Sequence, residues 1–326
     1  MTWLSRPLYQ KASSKVWHST IKIPELKTAV PAFESSVDSN EVVQRLFHMF
    51  QEHKGSLLVI TGAGVSTDSG IPDYRGDQGT YVRNPEHRPI LYHELASSHI
   101  YRQRYWSRSY LGWQKMVTSL PNDSHYALTS LMNESFIQNI ITQNVDNLHI
   151  KAGTPRDKLL ELHGSLYKVE CMECEAQTDR HQFQHRIHAR NPDWNILLRR
   201  DNKINPDGDV ELPAGVVYDD FDIPPCQTCG SQKMKPNVVF FGENIKQQVT
   251  ELAQAWVKQA SAVLVIGSSL ATYSSYRLLR LAHQAQKPIG ILTQGPTRAD
   301  GLMTWKGQVG CTPVLRELAQ TIKKSR

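Results

Sequence analysis

Short apolar runs and longer amphipathic stretches alternate along most of the chain. Leu57, Leu58, Val59 and Ile60 form an unbroken apolar run ending at Thr61, as expected of a strand buried on both faces. Ile137 to Thr142, Ala262 to Ile266 and Ile289 to Thr293 repeat the pattern, although Gln138 and Asn139 interrupt the first of them. Ahead of these strands, Val42, Val43, Leu46, Phe47 and Phe50 recur at helical spacing behind a cap from Asp38, Ser39 or Asn40. Further helices are predicted over Tyr92 to Val117, Ser124 to Leu131 (capped by Asp123 or Ser124), Val249 to Gln259, Tyr276 to Gln286 and Leu315 to Lys323. Leu159 to Val169 and Val238 to Phe241 read as extended. Such alternation predicts an α/β fold with a doubly wound, parallel, Rossmann-like sheet, which binds ligands at the carboxyl ends of its strands. The stretch Cys171 to Cys229, poor in apolar residues and rich in His, Arg, Asp and Pro, reads as a smaller inserted domain. The expected divisions are a tail over 1–37, the sheet domain over 38–169 and 237–326, and the insert over 170–236.

Composition narrows the possibilities. At 326 residues, 40% hydrophobic and 21% charged, the chain has the make-up of an ordinary globular protein. No apolar run approaches the roughly 18 residues of a membrane span. The net charge of +6 is scattered and contains no block of five Lys or Arg, so it reads as a solvated basic surface and not as a nucleic-acid site. Residues Met1 to Pro24 hold no acidic residue, while Arg6, Lys11, Lys15 and Lys22 are basic. That bias fits a cleaved mitochondrial presequence and predicts a matrix location, with a plain basic tail as the alternative. Four of the five cysteines form Cys171-x-x-Cys174 and Cys226-x-x-Cys229, which points to a tetrahedral metal site in a reducing compartment. Four thiolates suit one structural Zn²⁺ and leave no open coordination position. The 51 residues separating the two pairs exceed the usual spacing. The excess falls in a turn-rich loop, Asp201 to Pro213, while His181, His185 and His188 read as solvated positions on a helix.

The strand at Leu57 leads into Gly62-Ala63-Gly64, then Ser66, Thr67, Asp68 and Ser69. Glycines here permit close backbone approach to a diphosphate at a strand-to-helix junction. Thr67 occupies the place of the third glycine in G-x-G-x-x-G, so the common dinucleotide fingerprint is not met. The 14-residue string from Gly62 to Arg75, GAGVSTDSGIPDYR, instead resembles the sirtuin family of NAD-dependent protein-lysine deacylases, and within it the mitochondrial class II branch of the sirtuin-four type. The similarity runs from about Val42 to Gly310.

The resemblance implies a set of roles. Glu161-Leu162-His163-Gly164 matches the motif that carries the catalytic base, His163, whereas His149 matches a supporting position. Gln143, Asn144 and Asp146 match the segment that holds the nicotinamide and its ribose. Asp146 also reads as a helix cap. Gly62, Ala63, Gly64, Ser66, Thr67, Asp73, Tyr74 and Arg75 belong to the phosphate and nicotinamide loop, and Tyr81 lies in a segment able to close over the cofactor. Gly267-Ser268-Ser269 resembles a second phosphate turn, and Cys311 falls near the adenine. Thr293-Gln294-Gly295 aligns with the adenosine-ribose contact, where Thr293 departs from the family's asparagine. Val238, Val239, Phe240, Phe241 and Gly242 resemble the strand that pairs with substrate peptide, and Tyr105 with Arg108 resembles the pair that recognises acidic acyl groups.

The implied reaction consumes NAD. The acyl-lysine amide oxygen attacks the anomeric carbon as nicotinamide leaves; His163 then deprotonates a ribose hydroxyl, giving acyl-ADP-ribose and free lysine. Longer or carboxylated acyl groups (hydroxymethylglutaryl, glutaryl, lipoyl, biotinyl) are expected to be favoured over acetyl. Acylated mitochondrial metabolic enzymes are the expected substrates and a monomer the expected state. A protein ADP-ribosyltransferase and a catalytically silent zinc- and NAD-binding regulator remain as alternatives. A dehydrogenase is disfavoured by the missing glycine.

Overall fold

A computed structural model describes residues 35–198, 203–213 and 215–325. The presequence reading of Met1 to Pro24 and the start of the Asp201 to Pro213 loop lie outside these residues. The chain divides into two compact units, one built from the described parts of Ile23–Pro85, Ser119–His163 and Ile245–Arg326, the other from Glu86–Thr118 and Gly164–Asn244.

The first unit carries the predicted doubly wound sheet. Its seven parallel strands run in the order Ser35–Ser36, Trp305–Gly307, Ile289–Leu292, Ala262–Ile266, Leu57–Thr61, Ile137–Thr142 and Leu159–Glu161. Alternation along the strands divides the core in two. Leu57 and Val59 pack with the helices Ser39–Glu52, Asp123–Asn133 and Cys311–Lys324, while Leu58 and Ile60 pack with Gln247–Gln259 and Tyr273–Gln284. Both faces of each central strand are therefore buried, which is why these strands are apolar without a break. Leu57–Thr61 pairs with the following strand on one side and with Ala262–Ile266 on the other. The winding direction reverses there, so Gly62 and Gly267 emerge at the crevice where such sheets bind ligands.

Several boundaries differ from the sequence reading. Asp38 caps the first helix as expected, but Asn122, and not Asp123 or Ser124, caps the helix at Asp123. Its Oδ1 accepts from the Ser124 amide at 2.9 Å. The last helix starts at Cys311, four residues before Leu315, because Pro313 is tolerated in a first turn. The extended stretch from Leu159 splits into Leu159–Glu161 and Gly164–Cys171, which belong to different sheets, with His163 between them.

The second unit holds an antiparallel sheet in the order Gln177–Asp179, Gly164–Cys171 and Met234–Val238. The strand expected over Val238 to Phe241 lies four residues earlier. Phe240 accepts from the Glu243 amide, and Gly242 has φ +83°, so Val239 to Gly242 form a turn in which Phe241 bridges to Leu91. Helix His99–Thr118 supplies the buried Trp106, whose indole donates to the Met234 carbonyl at 2.8 Å. His181, His185 and His188 are exposed, as expected.

The long loop is anchored. Ile204 bridges to Val210, and the loop backbone at Gly208 packs so tightly on Gly112 that a Cβ there would lie 2.1 Å from the Gly208 carbonyl oxygen. Buried Arg108 donates to Asp209 at 2.7 Å and to both carboxylate oxygens of Glu211 at 2.9 and 3.1 Å. Burial alone would raise the Glu211 carboxyl, but the His87 hydrogen bond and the Arg108 charge hold it near 2. A depressed carboxyl contributes stability above its ordinary value of 4.5 that is lost as pH falls towards about 2. Arg108→Met removes the cation and leaves the buried Asp209 carboxylate held by Asn205 without its counter-charge, at a cost of roughly 3–5 kcal/mol. Urea denaturation should show this loss and, in the wild type, a fall in stability across that acid window; a variant as stable as wild type would contradict the pairing.

Candidate functional site

The residues expected to contact the cofactor gather at the carboxyl edge of the parallel sheet. Gly62 to Tyr81 follow Leu57–Thr61, Gln143 to Asp146 follow Ile137–Thr142, and His163 follows Leu159–Glu161. Gly267 to Ser269 follow Ala262–Ile266, and Thr293 to Gly295 follow Ile289–Leu292.

Two glycine turns lock together at the crevice. The Gly64 amide donates to the Gly267 carbonyl at 2.8 Å. A Cβ on Gly64 would lie 2.9 Å from the Gly267 backbone, and Gly267 itself has φ +61° with the Val65 nitrogen 2.6 Å from the place of a Cβ. These positions need glycine for turn-to-turn packing, whatever else approaches them. The backbone from Ala63 to Ser69 then forms two single 3₁₀ turns, which take up the Val65, Ser66 and Ser69 amides. Cys311 closes this side with Sγ 3.8 Å from the Gly64 carbonyl oxygen, its thiol pushed up to about 11 by burial.

A buried polar network lies beneath the loop. Ser66 donates to Asp146 Oδ2 at 2.7 Å. Asn144 donates to Ser66 Oγ at 3.1 Å and to the Gly62 carbonyl at 3.2 Å. The second carboxylate oxygen of Asp146 accepts the Leu148 amide at 2.9 Å, so the residue meets the first amide of the short helix Leu148–Lys151 as well as the loop, while Asn147, and not Asp146, stands at the cap position. Gln143 reaches Ser268 Oγ at 2.8 Å, tying one strand end to another. His149 is buried, holds Thr61 Oγ1 at 3.0 Å, and is pushed down to about 3 by burial and by neighbouring His125.

His163 has both ring nitrogens engaged. Nδ1 lies 3.1 Å from the Gln143 carbonyl oxygen, which can only accept, so Nδ1 carries the hydrogen and Nε2 presents its lone pair. Burial pushes the ring down to about 4, with the Gln143 bond opposing, and the imidazole is neutral at physiological pH.

The loop carrying Asp73, Tyr74, Arg75 and Tyr81 folds on itself. Asp73 accepts the Gly76 amide at 2.9 Å, its carboxyl raised by burial. Arg75 lies over the Tyr81 ring at 5.3 Å, and Tyr81 packs on Tyr74 at 5.7 Å. Thr67 donates to the Gly64 carbonyl. Ala63 and Ser269 belong to the two turns, the Ser269 carbonyl accepting from Arg298. Thr293 donates its amide to the Gly307 carbonyl, leaving Gln294 and Gly295 exposed.

The remaining expected site residues lie in the second unit. Tyr105 is buried edge-on against Trp106 and Phe240 at 5.2 and 5.4 Å, and Arg108 is the loop-paired residue described above. The four cysteines bring their sulfur atoms within 4.8 Å of one another. Cys171 and Cys229 are 3.6 Å apart, Cys174 and Cys226 3.7 Å, close to the edge of about 3.8 Å of a tetrahedron with Zn–S bonds of about 2.3 Å. The Glu173 and Thr228 amides point at Cys171 and Cys226 sulfurs from within each knuckle. The donor set therefore fits one structural zinc ion.

Ser274, Thr272 and Asn122 escaped the sequence reading. Ser274 Oγ is 2.8 Å from His163 Nε2, and Asn122 donates to the Val65 carbonyl at 2.8 Å and to Ser69 Oγ at 3.0 Å. Their side chains are cap-type residues beside helix starts, which signals a helix start and nothing about what else they reach.

Comparison with known proteins agrees with this layout. A profile described as the Sir2 family matches residues 62–274. The NAD-dependent protein deacylase SIR4 of Batrachochytrium dendrobatidis is 43% identical over 289 residues, covering 86% of this chain and 94% of that protein. The Bos taurus NAD-dependent protein lipoamidase sirtuin-4, mitochondrial, is 42% identical over 260 residues, covering 79% and 80%. The crystal structure of a Sir2 homolog–NAD complex is similar at a TM-score of 0.65 and 26% identity, covering 90% of this chain and 96% of that one. Metal analysis should return one zinc per chain, and Cys226→Ser should abolish it with loss of ordered tertiary signal, whereas zinc at other than one equivalent would contradict the tetrahedral site.

Proposed function

This chain belongs to the Sir2 family, and on that premise we propose that His163 is the base of its reaction and that the strand-end network below the glycine turns holds the cofactor. The chain is an NAD-dependent protein-lysine deacylase, with a structural zinc ion in its smaller unit. The observation that carries the role of His163 is its tautomer. With Nδ1 fixed on the Gln143 carbonyl, Nε2 is held as an unprotonated acceptor at the carboxyl edge of the sheet.

Bound NAD supplies a ribose carbon from which nicotinamide departs, and that carbon becomes cationic as the bond breaks. Asp146 and Asn144, buried and hydrogen-bonded, present fixed negative and dipolar groups that favour positive charge and orient hydroxyls without reorganising. The amides of Gly62, Gly64, Val65, Ser66 and Gly267 hold the two turns together, so the Ala63 and Ser268 amides at those turns are the groups for the diphosphate. Asp73, Tyr74, Arg75 and Tyr81 cover the nicotinamide end, and Thr293, Gln294, Gly295 and Cys311 the adenosine end. His163 then takes a proton from the ribose, a hydroxyl of which attacks the acyl carbon.

Acyl choice rests with the second unit. Glu211, half exposed, is the partner of Arg108 that a carboxylated acyl group can replace, while buried Asp209 keeps its bond. This supports a preference for longer or carboxylated groups over acetyl, as does the lipoamidase name of the bovine relative. The turn from Val238 to Gly242 offers backbone to the peptide. The mitochondrial name of that relative and the basic segment Met1 to Pro24 support a matrix location and mitochondrial metabolic enzymes as substrates. Among the described residues no helix is long and apolar enough to cross a membrane, and a monomer is expected.

Mass spectrometry of the reaction with NAD tests both levels. The wild type should release acyl-ADP-ribose, His163→Ala should lose at least about a hundredfold in kcat, and glutaryl, hydroxymethylglutaryl or lipoyl peptides should outrun acetyl. Label from NAD retained on protein would favour ADP-ribosyl transfer. Acetyl peptide fastest throughout would end the acyl assignment and leave the deacylase in place.

A further inference from the structure

Ser274 stands in the first turn of helix Tyr273–Gln284, and its hydroxyl lies 2.8 Å from the acceptor nitrogen of His163. The same hydroxyl is 3.2 Å from Thr272 Oγ1, which is itself 2.9 Å from Ser275 Oγ. A serine has one hydrogen to give. With Nε2 unprotonated, that hydrogen belongs on the imidazole. Once the ring gains a proton at Nε2, the serine must reverse, accepting from the new N–H and turning its own hydrogen towards Thr272 Oγ1.

We propose that Ser274 is a positioning residue for His163, its hydroxyl serving the neutral ring as donor and the protonated ring as acceptor, with Thr272 taking the hydrogen in the second state. The inference rests on the reading of His163 as the base. No covalent bond to Ser274 forms or breaks. Its hydrogen first rotates from Nε2 to Thr272 Oγ1, which frees the single lone pair for the ribose hydroxyl; the ribose O–H bond then breaks, an N–H bond forms at Nε2, and the serine oxygen shares the new N–H as an acceptor. The exchange matters because a hydrogen bond from a charged imidazolium is roughly twice as strong as one to the neutral ring. The serine thus favours the protonated state that the reaction must create in a site whose burial disfavours it. Gln143 holds the other nitrogen throughout, so the ring can change protonation without turning.

Two variants and two readouts test this. Histidine ¹⁵N spectra of the full zinc-loaded chain without NAD, with the His163 signals assigned from their loss in His163→Gln, report the state of each ring nitrogen. In Ser274→Ala the Nε2 signal should move towards that of an unbonded acceptor while the Nδ1 signal stays. With NAD and an acyl peptide, kcat should fall roughly three- to tenfold, with the KM for NAD and the exchange of labelled nicotinamide into NAD unchanged, because neither needs the base. Ser274→Thr keeps the hydroxyl and should restore both readouts towards wild type. Ser274→Cys, a poorer donor of similar size, should fall between them and is read instead if the alanine variant melts early. An Nε2 signal indifferent to Ser274, or a loss confined to KM, would overturn the role of Ser274. Full activity in His163→Ala would instead overturn the base on which it rests.

Discussion

Two backbone turns meet at the crevice of the parallel sheet with no room for a Cβ between them, and the rest of the site is built on that contact. The Gly64 amide and the Gly267 carbonyl bond directly, which fixes the ends of two adjacent central strands relative to each other. Because the turns are locked, the backbone between Ala63 and Ser69 stays in short turns that engage the Gly64, Val65, Ser66 and Ser69 amides, and the carbonyls of Gly62 and Val65 fall within reach of Asn144 and Asn122. A larger residue at either glycine would push the strand ends apart and break several buried hydrogen bonds together. Such bonds are individually modest, but each leaves an unpaired buried group when lost.

The electrostatics follow from the same burial. Asp146, Asn144 and Ser66 satisfy one another and Gln143 bonds Ser268, across three strand ends, so a polar cluster persists where isolated groups would be too costly. His163 sits at the edge of this cluster as a neutral ring. Its two partners decide which nitrogen is basic: the carbonyl at Nδ1 fixes the hydrogen there, and the hydroxyl at Nε2 leaves the lone pair in use. Burial alone would make a poor base of such a ring, since it opposes the charged state. A partner able to reverse its hydrogen bond offsets part of that penalty at the moment of proton transfer.

The strands were readable because burial on both faces leaves an unbroken apolar run, and Leu57 to Thr61 and Ala262 to Ile266 end where the polar residues begin. The zinc site was readable from paired cysteines alone, since a knuckle brings its two sulfurs together within four residues. Other features depended on contacts distant in sequence. Nothing near Gly267 announces that Gly64 will lie against it, and the apolar run Val238 to Phe241 hides a turn set by Gly242 and Glu243. Arg108 was visible as a candidate for acidic groups, but its partners, Asp209 and Glu211, lie about a hundred residues away in a loop that could as easily have been solvated. Ser274 escapes the sequence because its meaning lies in His163, 111 positions earlier.

The account stands or falls on where the cofactor's ribose lies relative to one imidazole. A crystal structure of the chain with NAD and an acylated peptide measures this directly. The account predicts a ribose hydroxyl within roughly 3.2 Å of His163 Nε2, or linked to it through a single water, with the diphosphate against the two glycine turns. A ribose beyond that reach, with His163 still bonded only to Gln143 and Ser274, would contradict it.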